Sequence, residues 1–172
     1  MIVVAACSAS PEPAGSVSTP AANAAAVPDK SPPMDPADAV SRLVTSRNAC
    51  KLLTRADAET AVGQPLPQNT VANEVQGMCD YNAADFSAGA SLTLGDWPSI
   101  EAAAKSGRTT PTPIAGVGDE ALGLGGSNGA TLYVRRGDEG FLISLNGPNI
   151  DRLPDHGMAL EKALALKVLA QY

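Results

Sequence analysis

From Met78 onward apolar and polar positions alternate. Cys79 and Tyr81 share one side, and after a glycine-containing turn Ala90, Leu92 and Leu94 alternate with Ser91 and Thr93. A period of two over such short runs is that of strands with one buried face. Three further strands are predicted over Glu120–Leu124, Ala130–Arg135 and Phe141–Leu145, with Gly125–Gly129 and Arg136–Gly140 as hairpin turns. Elsewhere the spacing is helical. Pro36–Ser46 carries Val40, Leu43 and Val44 behind an Asp35 cap, and Arg55–Val62 runs from a Thr54 cap to a Gly63 stop. Pro98–Ser106 places Ile100, Ala103 and Ala104 on one side. A last helix over Pro154–Leu169 should bury Leu160, Ala163, Leu164, Val168 and Leu169 and leave Glu161, Lys162 and Lys167 to water. The pattern predicts an α+β fold, an antiparallel sheet of about five strands with helices packed on one face.

Composition sets the boundaries of that domain. The chain has 172 residues, and seven of its 14 prolines but none of its aromatics fall within Ser8–Ala37. That Ala/Pro/Ser-rich stretch cannot bury enough surface to fold and reads as a disordered linker over residues 8–37, leaving residues 38–172 as a single domain. With 12 basic and 18 acidic side chains the net charge is −6. This argues against a nucleic-acid partner, which calls for a basic surface. No apolar run is long enough to span a bilayer.

The first residues, Met1 to Cys7, are apolar and end in Val4-Ala5-Ala6-Cys7. They resemble the end of a bacterial lipoprotein signal, in which the peptide is cut before the cysteine and the thiol carries a diacylglyceryl group. The resemblance implies Cys7 as the lipidation site and the membrane as a partner through that anchor. Only six residues, none charged, precede Cys7, so residues 1–7 are expected to be a truncated signal remnant. In an exported protein Cys50 and Cys79 would be the remaining pair, and two cysteines in an oxidising compartment usually close a disulfide. Two independent buried thiols are the alternative.

Candidate chemistry is sparse. His156 is the sole histidine, at the start of the last predicted helix beside Asp155, and no Gly-x-Ser-x-Gly elbow is present. No zinc spacing involves the cysteines, so neither a metal nor a cofactor is expected. The glycine-rich run Ala115–Gly129 follows Pro111 and Pro113 and leads into hairpin strands, a context for turns rather than for a dinucleotide. Arg135 and Arg136, with Arg108, could meet an anion, though adjacent arginines on a strand end point to opposite faces. Trp97, beside a turn, is either a contact residue or part of the core. Trp97, Arg135 and Arg136 are thus the candidate binding surface, and no catalytic set is evident.

The order Cys50-Lys51-Leu52-Leu53-Thr54, Cys79-Asp80-Tyr81, Gly116-Val117-Gly118-Asp119-Glu120-Ala121 and Leu132–Asp138 resembles a group of uncharacterised bacterial envelope lipoproteins, best represented in actinobacteria. The resemblance spans about Cys50 to Leu145 and implies an exported α+β domain with a Cys50–Cys79 bridge. It implies no activity. The expectation is therefore a non-enzymatic, lipid-anchored protein on the extracytoplasmic side, binding another envelope protein or a small ligand. The alternatives are an envelope hydrolase or transferase using carboxylates such as Asp119 and Glu120, and a structural coat protein.

Overall fold

A computed structural model describes residues 47–69, 77–127 and 129–172. Cys7, the linker and the helix predicted over Pro36–Ser46 lie outside the described residues. The first elements are two short helices, α1 (Ala49–Leu52) and α2 (Arg55–Val62). Each starts where a side chain takes up a free amide. Asn48 Oδ1 accepts from Cys50 N at 2.9 Å, and Thr54 Oγ1 accepts from Asp57 N at 3.2 Å. Gly63 ends α2 at φ 76°, a left-handed conformation that favours glycine. The predicted bounds of α2 are those observed; α1 was not anticipated.

Seven antiparallel strands follow, in the spatial order β1-β2-β3-β7-β6-β5-β4. Five are long: β2 (Met78–Asn82), β3 (Gly89–Asp96), β5 (Glu120–Gly126), β6 (Gly129–Arg136) and β7 (Glu139–Asn146). The two outer strands, β1 (Gln68–Asn69) and β4 (Thr112–Pro113), have two residues each, a length that leaves little edge to pair with another chain. Helix α3 (Trp97–Lys105) links β3 to β4, and α4 (Pro148–Asp151) and α5 (Met158–Leu169) follow β7. The β6–β7 hairpin closes on the Arg136–Glu139 pair, as its turn sequence predicts.

Alternation divides the sheet into two faces. On one, Leu92, Leu132, Phe141, Ile143 and Leu145 are fully buried beneath Leu53, Ala58, Val62, Leu164, Ala165 and Val168 from the first two helices, the residue after α1, and α5. Each large side chain buried this way contributes about 1.5–3 kcal/mol. Cys50 and Cys79 are joined on this face, a disulfide with Cα atoms 5.0 Å apart that ties α1 to β2. On the other face a smaller cluster forms where Trp97, Ile100 and Ala104 of α3 cover Leu122 and Tyr133. The expected covering of one face holds for α1, α2 and α5, while α3 adds a second layer opposite.

Helix α5 departs from expectation in two ways. It begins at Met158, four residues after Pro154, because His156 (φ 51°) and Gly157 (φ 91°) are left-handed. The Asp155 carboxylate caps the true start, accepting from Ala159 N at 2.8 Å and Gly157 N at 3.1 Å, and these amides hold it below the usual carboxylate range. The helix is also rotated. Glu161, expected in water, is fully buried with Leu164, Ala165 and Val168, whereas Ala163 is exposed. At the domain's far corner the Arg47 guanidinium lies 3.9 Å from the centre of the Tyr172 ring and pairs with Glu139 at 2.8 Å.

Candidate functional site

Helix α3 determines which part of the second face is open. Asp96 caps it by accepting from Ser99 N at 3.0 Å, with Pro98 in its first turn. It lies close to the sheet because Gly95 and Gly140 stand beneath it. A Cβ at Gly140 would come within 3.0 Å of Trp97, and one at Gly95 within 3.1 Å of Ile100. The helix ends at Ser106, whose hydroxyl donates to Ala103 O at 2.8 Å. Beyond it no described helix covers the face.

That region is an open cleft of about 460 Å³. One wall is the turn Gly107–Thr109 after α3, and the other is the end of the β5–β6 hairpin at Gly125–Ser127. The floor comes from β6 and β7, where Thr131 stands opposite Ser144 and the two hydroxyls are 2.9 Å apart. Strand register extends this row across the sheet as Asp80, Ser91, Ser144, Thr131 and Leu124. The volume is that of a small-molecule site. Its lining is about equally polar and apolar, and among the described residues Arg108 is the one charged residue along it.

The residues singled out in the sequence are elsewhere. Trp97, the first residue of α3, is 6% exposed and packs into the core between that helix and the sheet rather than presenting a surface. Arg135 and Arg136 alternate faces. Arg135 Nε donates to Gly137 O at 2.9 Å with Glu120 beside it at 3.7 Å, and Arg136 donates to Leu169 O at 2.7 Å near the Tyr172 ring. The two share no site, and neither lines the cleft. Asp119 is exposed and accepts from Gly137 N at 2.6 Å, and Glu120 is exposed beside Arg135. These carboxylates hold a surface turn and enter no pocket described for the chain. His156 is half-buried in the turn before α5.

Glu161 is the group that sequence reasoning missed. Its Oε1 accepts from Leu145 N at 3.0 Å, and Oε2 is buried with no hydrogen-bond partner among the described residues. Burial pushes its pKa up to about 9, against the pull of the Leu145 amide and with a contribution from Asp155. It is therefore a neutral acid at pH 7, on the covered face and outside the lining of the cleft. Among the described residues no group of three or more His, Cys, Asp or Glu could hold a metal ion, and no helix is long and apolar enough to cross a membrane. No protein family, curated protein or solved structure matches this chain.

Proposed function

We propose that the protein is an exported, non-enzymatic binding module of the bacterial envelope, anchored through lipid on Cys7 and carried on the residue 8–37 linker. The observation that carries this reading is the Cys50–Cys79 disulfide, since such bonds persist in oxidising compartments and are rare in a reducing cytosol. The open cleft beyond α3 supports binding rather than catalysis: among the described residues its lining holds hydroxyls and one arginine, with no carboxylate pair, histidine or cysteine. Two or more acyl chains, each methylene contributing about 0.8 kcal/mol, would anchor the chain stably where one would not. A carboxylate-based hydrolase or transferase draws no support from Asp119 and Glu120, which are engaged at a surface turn.

The test is where the protein goes. The full-length gene product, expressed in a bacterial host, should partition with membranes and incorporate labelled fatty acid, and Cys7→Ala should abolish both. Equal solubility of the two forms would overturn the anchoring.

A further inference from the structure

We infer that the cleft is a site for a small anion, an organic carboxylate or phosphate, held by the Arg108 guanidinium and the Thr131–Ser144 hydroxyl pair. This rests on the binding-module reading and goes further by naming the ligand chemistry. Its first support comes from how the basic side chains are used. Arg47, Lys105, Arg135 and Lys167 are ion-paired. Arg136 and Lys162 donate to backbone carbonyls, and Arg55 lies over the Tyr81 ring. Among the described residues the side chains of Lys51, Arg108 and Arg152 alone make no such contact, and of these only Arg108 borders the cleft. A guanidinium is a permanent charge with a fork of donors matched to carboxylate and phosphate.

The lining supplies the rest of the argument. In a chain of net charge −6 no carboxylate among the described residues lines the cleft. The nearest acid in the same cross-strand row is Asp80, two strands from Ser144, or about 10 Å at the ordinary strand spacing. Thr131 and Ser144 share one hydrogen between their oxygens, which leaves the other hydroxyl's hydrogen free to donate to a ligand. Beside them Gly126 has nothing within 4 Å of where a Cβ would sit, so a ligand can approach the backbone of the β5–β6 turn closely.

Other ligand classes fit less well. A sugar is held by acceptors for its hydroxyls and an aromatic face for its C–H bonds, but among the described residues no carboxylate lines the cleft and Tyr133, next along the same face, is only 8% exposed. A metal would be favoured by carboxylate, imidazole or thiolate ligands, and none among the described residues lines the cleft.

The experiment is an amide-resolved NMR titration of the full chain, disulfide intact, with sodium phosphate and separately with sodium citrate at constant ionic strength, using chloride as the control. Saturable shifts are expected at Ser127, Thr131, Ser144 and Asn146 with phosphate, citrate or both, and the pattern identifies which anion is preferred. Affinity should fall about tenfold in Arg108→Gln and severalfold in Thr131→Val, with both variants keeping the wild-type spectrum elsewhere. The inference is overturned by unsaturable shifts at tens of millimolar, by undiminished affinity in Arg108→Gln, or by equal shifts around Lys51 and Arg152, which would mean general charge screening. Saturable shifts with a neutral polyol such as trehalose, and none with either anion, would overturn the anion inference while leaving the binding-module reading in place.

Discussion

The two faces of the sheet are built from the same five long strands yet serve opposite ends. The face beneath α1, α2 and α5 is continuous, apolar and bridged by a disulfide. The face beneath α3 is apolar for only part of its length and then gives way to hydroxyls, glycines and one unpaired arginine. One helix accounts for the change, because α3 ends at Lys105 while the strands continue past it. The buried core is largest where three helices overlap the sheet, and the surface left open is where the single helix stops. Glu161 is the exception on the covered side, a carboxyl placed where a leucine would pack.

Mutations should separate the faces. Phe141→Ala removes the largest fully buried side chain among the described residues and should cost about 3–5 kcal/mol in denaturant unfolding, the range for buried aromatics. Replacing both Cys50 and Cys79 with Ala reopens a loop closed across 29 residues and should cost about 3–4 kcal/mol in the chain-entropy model. Failure of either to destabilise would mean that the covered face is not where the fold is held. Glu161 sharpens the contrast through pH. Its folded pKa, about 9, lies above the ordinary 4.5, so the folded state holds the proton more tightly and stability is lost as pH rises from about 4.5 through 9. Unfolding curves at pH 7 and pH 8 should differ by roughly 1 kcal/mol, and Glu161→Gln should flatten that slope; an unchanged slope would assign it to other groups. Thr131→Val, on the open face, should cost less than about 1 kcal/mol in the same assay. A loss comparable to that of Phe141→Ala would break the comparison.

Local signals made much of this fold readable. The Thr54 cap and Gly63 stop bound α2, and the Gly137-Asp138 turn announced the β6–β7 pair. Helix α1 was missed because four residues held by one Asn48 hydrogen bond leave no periodicity to detect. For Glu161 a signal existed: residues 161, 164, 165 and 168 follow the i, i+3, i+4, i+7 spacing of a buried stripe, but its charge argued for water and a parallel stripe through Leu160 and Ala163 competed. The second apolar face was also detectable, since Leu122 and Leu124 alternate with Ala121 on β5. The cleft was not. Arg108, Ser127, Thr131 and Ser144 come from four separate segments, and only strand register and the end of α3 bring them together. Arg135-Arg136 and Trp97 drew notice for their residue type, which says nothing about exposure.

The Arg47–Glu139 contact sets an orientation. Arg47 lies at one tip of β7, and the cleft borders Asn146 at its opposite tip, about 24 Å along a strand of that length. A probe fixed at the Arg47 end of β7 therefore reports from the far side of that span and leaves the cleft beside Asn146 untouched.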